Sequence, residues 1–200
     1  MDRLASTLGV MNTTTPKQRE ELDLAHRLLV ALGHGRGNLT PSDKPDVLAT
    51  ITSRRVGIEV TQFHADEQPE TQGRGSQARA QEAKLSRARP DTPYHMWISI
   101  DPVPGLVVRI NDKIKLAAGY DRTHFDELWL LVAGGLPKLG SLASTVALPF
   151  LVDLAKLNAA SNLLLASSPY DVAYIHTHLP AGLFCWLRRE GWRQIEPHKA

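Results

Sequence analysis

Two hundred residues, 42 % of them hydrophobic, suffice for one domain with a real core and at most a small appendage. A formal charge of +2 gives no global nucleic-acid signal, and the single cysteine, Cys185, excludes an internal disulfide and any cysteine-built zinc site. The longest apolar stretch, 142–152, is broken by Ser144, Thr145 and Pro149 and is too short to span a bilayer. No membrane association is expected, and with no signal-peptide pattern at the N-terminus the expected location is cytoplasmic. Local charge is uneven. Arg74, Arg79, Lys84, Arg87 and Arg89 form one basic cluster, and Arg188, Arg189 and Arg193 a second. Each reads either as a solvated face or as a phosphate contact.

In chain order, residues 1–16 read as a loose leader ahead of one domain, 17–200. Thr13-Thr14-Thr15-Pro16 is a helix start. Residues 17–33 form an amphipathic helix, with Leu22, Ala25, Leu28, Leu29 and Leu32 at helical spacing and Gly33 as the stop. Residues 34–45 read as a Gly- and Pro-rich connection, with Arg36 as a phosphate contact. The stretches 44–51 and 57–63 read as two strands joined by a charged turn, Ser53-Arg54-Arg55, the first beginning with an acid after a proline. A helix is expected over 77–89 and a strand over 94–100. A helix over 106–119, a buried strand over 125–132 and a helix over 148–166 follow. Two last strands, 170–177 and 183–189, turn at Pro180-Ala181-Gly182. Such interleaving predicts an α/β sandwich around a mixed sheet.

Chemistry concentrates in the strand pair. Side chains alternate along a strand, so Ile58 and Val60 face one way and Glu59, Thr61 and Phe63 the other. A glutamate in that setting is poorly solvated, and burying it is costly without a cation or hydrogen bonds. Asp46, at the start of the neighbouring strand, is its natural companion. Two carboxylates suit a magnesium ion, which leaves its other positions to water and phosphate. The alternative is ordinary: a turn Asp after Pro45 and a glutamate facing water.

Pro45-Asp46, a thirteen-position step to Glu59, and Thr61 two residues later resemble the signature of the PD-(D/E)XK, or restriction-endonuclease-like, nuclease superfamily. The helix–strand–strand–helix–strand order over 17–135 is similar to that family's core. The resemblance implies a three-layer sandwich, a mixed central sheet flanked by helices. It implies Mg²⁺ or Mn²⁺ held by Asp46 and Glu59 with the Val60 backbone carbonyl, activating water against a phosphodiester. It also implies a supporting acid on the first helix. Glu21 is the candidate, because it is in step with Ala25, Leu28 and Leu32, whereas Glu20 points about 100° away. Thr61 departs from the pattern, which has lysine there. Either a cation has migrated to the next helix, with Lys84 as candidate, or Thr61 and Gln62 orient water unaided, or catalysis is lost.

The function expected is metal-dependent hydrolysis of DNA, with RNA as the second choice. The alternative is an inactive nuclease-fold module that binds nucleic acid or a protein partner. A homodimer is expected only by analogy with related nucleases. Other motifs carry less. His176 and His178 share a strand face, a spacing zinc sites use, but no third ligand is identifiable. Ser141, Ser144 and Ser161 lack nucleophile-elbow context. Trp97, Trp129, Trp186 and Trp192 read as core or sheet-face residues. Arg109, Lys113 and Lys115 read as a basic surface or a solvated helix face.

Overall fold

The computed structural model describes residues 14–35, 37–63, 101–134, 152–178 and 181–198. The expected helix 77–89 and strand 94–100, with Lys84 and the first basic cluster, lie outside these residues, as does Arg36.

Helix α1 spans Pro16–Ala31. Its start is a capping box: Gln18 N donates to Thr15 Oγ1 at 3.2 Å while Thr15 N donates to Gln18 Oε1 at 2.9 Å. Gly33, at φ +81°, ends the helix, where a side chain would be strained. Strand β1 (Asn38–Pro41) was not foreseen: it occupies part of the expected connection. Strands β2 (Val47–Ile51) and β3 (Arg54–Phe63) follow. Their turn is Thr52-Ser53, not Ser53-Arg54-Arg55. Arg54 and Arg55 pair with Ile51 and Thr50 inside the ladder. Their guanidiniums meet Glu127 and Asp126, so ion pairs to the next strand hold them in the sheet.

Helix α2 (Val103–Ala117) begins three residues before the predicted start, because Pro102 and Pro104 fall in or before a first turn that needs no N–H donor. Strand β4 (Glu127–Gly134) is buried nearly throughout, as expected. Helix α3 (Leu154–Ala166) begins where Asp153 accepts from Lys156 N at 3.0 Å, later than the predicted 148. Strands β5 (Val172–His178), β6 (Ala181–Leu187) and β7 (Gly191–Ile195) follow in the same sheet. The expected strand 183–189 stops at Leu187, and Arg188 instead donates to the carbonyls of Ala166, Ser168 and Tyr170 at the end of α3.

The seven strands lie in chain order. β3, β4 and β5 are parallel and the flanking pairs antiparallel. α1 packs on one face, where Leu24, Ala25, Leu28 and Leu29 meet Val47, Val56, Ile58, Val60 and Leu131. α2 and α3 cover the other through Leu106, Ile110 and Leu157 against Phe63, Leu130, Val132 and Trp186. The molecule is thus mixed α/β, with helices on both faces of a mixed sheet that has seven strands among the described residues. Trp129, Trp186 and Trp192 are buried, as read from the sequence. No helix among the described residues is long and apolar enough to cross a membrane.

Candidate active site

Val47 faces Ile58 in the β2–β3 ladder, so one further step sets Asp46 opposite Glu59. The approach is close because residue 57 is glycine. A Cβ there would lie 2.6 Å from Pro45 Cγ, so any larger residue would push Pro45, and Asp46 with it, off the strand. Val60 N then donates to Asp46 Oδ2 at 2.9 Å. The resemblance had implied the Val60 carbonyl; the contact seen uses its N–H.

Asp46 is 8 % exposed and Glu59 2 %. Like charges directly opposite across two strands repel, and two sequestered carboxylates need compensation. It comes from α2. Lys113 Nζ lies 2.6 Å from Glu59 Oε1 and 3.8 Å from Asp46 Oδ2. Tyr120, just past the helix, donates its hydroxyl to Glu59 Oε2 at 2.7 Å. Burial, reinforced by Glu59, pushes the Tyr120 phenol well above its ordinary pKa, so it is a neutral donor. The Lys113 carbonyl accepts from Tyr170 OH at 3.1 Å, tying this turn of α2 to the chain leading into β5.

The other face contributes through α1. Lys17 Nζ lies 3.0 Å from Glu21 Oε1 and 3.9 Å from Asp46 Oδ1. Asp46 therefore stands between two ammonium groups. The Lys17 side chain is 78 % exposed and that of Glu59 3 %, so the cluster runs from a solvent rim to a closed floor. Burial raises the Glu21 pKa, the Lys17 hydrogen bond opposes that, and the Asp46 charge adds to the rise. The Glu21 bond in turn raises the pKa of Lys17. Glu21 is buried and Glu20 exposed, as the helical spacing predicts.

The structure thus brings Glu21, Asp46 and Glu59 together. Thr61 and Gln62 follow on β3, half-buried. Lys113 was not singled out for the site. Its side chain is only 19 % exposed, which corrects the solvated-face reading. A signal was present: Lys113 is three residues from Ile110 and seven from Leu106, both fully buried, so it continues their stripe. Tyr120 carried no such signal.

Three carboxylates here face two ammonium groups, an excess of negative charge presented by hard oxygen donors. That chemistry fits a magnesium-type cation, which binds through one or two carboxylates and keeps several waters. Among the described residues, no group of three or more His, Cys, Asp or Glu side chains is arranged to hold a metal. The fit is therefore to the Asp46–Glu59 pair, not to a closed protein cage, and it gives no support to zinc at His176. Compared with protein-family models, with curated proteins and with solved structures, the chain matches none.

Proposed function

We propose that this protein is a metal-dependent phosphodiesterase of the PD-(D/E)XK kind, acting on DNA, with RNA as the second choice. The observation that carries the reading is two buried acids, Asp46 just before β2 and Glu59 opposite it on β3, sharing the Lys113 ammonium. Among the described residues the order α1–β1–β2–β3–α2–β4 supports it, with Asp46 just before β2 and Glu59 in the middle of β3. Asp46 and Glu59 hold Mg²⁺ or Mn²⁺. When bound, the metal supplies an activated water and charge neutralisation at the phosphate.

The chain's own groups do the rest. Lys113 fills the role for which the family pattern uses a lysine at position 61. Its ammonium, beside Glu59 and Asp46, faces negative charge that develops on the phosphate. Thr61, on the Glu59 face of β3, orients water, whereas Gln62 alternates to the face of Val60. Glu21 and Lys17 shape the rim, where Lys17 meets the nucleic-acid backbone without reading sequence.

The test is cleavage of single- and double-stranded DNA and of RNA with Mg²⁺ or Mn²⁺. Asp46→Asn, Glu59→Gln and Lys113→Met are each expected to lose about 10²–10³-fold in rate. Adding Thr61→Lys to Lys113→Met should recover part of that loss, because positions 59 and 61 share a strand face. Unchanged cleavage in both acid variants would remove the assignment.

A second reading has its own observation. Both Glu59 oxygens already accept a donor, an arrangement that satisfies this acid without metal. On that reading the protein is an inactive nuclease-fold module that binds nucleic acid or a protein partner. Calorimetric titration with Mn²⁺ separates the two: Glu59-dependent binding supports the enzyme, and no binding at millimolar metal supports the module.

A further inference from the structure

The two oxygens of Glu59 are not equivalent. Oε1 accepts from the Lys113 ammonium at 2.6 Å, a cation that also approaches Asp46 and that a metal at Oε1 would displace. Oε2 is taken by the Tyr120 hydroxyl at 2.7 Å. Tyr120 is held where it can do this, its own N–H donating to the Ala117 carbonyl at 3.1 Å as the chain leaves α2. The carboxylate is thus gripped from one side by a neutral donor and left to meet cations from the other.

We propose that Tyr120 sets the cation selectivity of this site by restricting Glu59 to one ligating oxygen, so that Mg²⁺ is favoured over Ca²⁺. The proposal rests on the metal reading above. Calcium takes six to eight oxygens and commonly uses both oxygens of a carboxylate; magnesium demands a tight octahedron and makes do with one oxygen from each of one or two carboxylates. A hydrogen bond on Oε2 penalises the chelating mode and keeps the single-oxygen one. It also fixes the orientation of the carboxylate, and loss of such an outer partner typically lowers metal affinity about 10–100-fold. Tyr120 is a positioning residue, since it acts through Glu59.

The experiment is calorimetric titration of the full chain with MgCl₂, MnCl₂ and CaCl₂ in turn, for the wild type, Tyr120→Phe, Tyr170→Phe and Glu59→Gln. The wild type is expected to bind Mg²⁺ more tightly than Ca²⁺. Tyr120→Phe should weaken Mg²⁺ and shift the ratio of the two Kd values toward Ca²⁺ by about 10-fold or more. Tyr170→Phe loses a phenol bond to the Lys113 backbone but leaves Glu59 untouched, so it should keep the wild-type ratio. An unchanged ratio in Tyr120→Phe overturns the proposal while leaving the metal site standing. A wild type that prefers Ca²⁺ overturns it without recourse to any variant. Absence of Mg²⁺ binding in the wild type, or binding that survives Glu59→Gln, overturns the metal reading itself and the proposal with it.

Discussion

The two ends of the sheet bury different kinds of polarity. Beside β2 and β3 the sequestered polar side chains are acids: Glu21, Asp46 and Glu59. Beside β5, β6 and β7 they are hydroxyls: Ser161, Ser168 and Thr177. A hydroxyl both donates and accepts, and these are satisfied locally. Ser161 donates to Leu157 O at 2.7 Å, Ser168 to Leu165 O at 2.7 Å and Thr177 to Gly182 O at 3.3 Å. Ser161 also accepts from Trp192 Nε1, and Asn158 joins α3 to both backbone polar groups of Trp192. An ionised carboxylate only accepts, and carries a charge that local backbone cannot neutralise. Glu59 is therefore met by a lysine 54 positions away. The hydroxyl end needs nothing beyond the fold, whereas the acidic end is expensive to build unless the charges serve a purpose.

The largest effect that would break this contrast is on stability. Lys113→Met leaves Glu59 buried without its cation, and denaturant unfolding should register a loss of about 3–5 kcal/mol. The double variant Lys113→Met, Glu59→Gln should recover most of it. If Lys113→Met unfolds like the wild type, the acidic end is no more costly than the hydroxyl end. A smaller effect belongs to Ser161→Ala, which strips the acceptor from the Trp192 indole N–H and should cost about 1–3 kcal/mol. Metal-dependent cleavage should be indifferent to it.

The smallest effect sharpens the comparison through pH. The folded-state pKa of Glu21 is raised above its ordinary value of 4.5, so the folded state holds that proton more tightly than the unfolded chain. Its contribution to stability is most favourable below 4.5 and declines as pH rises from there through the raised value. Glu21→Gln removes this penalty, at the cost of an ion pair with an exposed lysine worth at most about 1 kcal/mol. It should melt above the wild type at neutral pH by no more than about 2–4 °C, with the gap closing on acidification. A gap that widens in acid would reverse the sign.

Much of the acidic end was legible because it obeys simple periods. Glu21 is in step with Leu28 and Leu32, and the alternation along β3 assigns Glu59 to the face away from Val60. Strands β1 and β7 were not legible. β1 is four residues of mostly exposed, polar sequence, and β7 buries only its first two residues, so neither alternates. Lys113 escaped because a lysine in a helical stripe reads as solvent-facing until the acid opposite it is known. Tyr120 lies past the end of its helix, where no period applies. What composition cannot reveal is a partner supplied by a distant segment.

The short β2–β3 turn has a consequence for how the chain assembles. Asp46 and Glu59 come together over a two-residue reversal, a local closure, whereas α2 belongs to the crossover between Phe63 and Glu127. A short closure costs less chain entropy than a long one. Without α2 the hairpin would hold two like charges face to face, so the seating of α2 and the neutrality of this strand pair are one structural event.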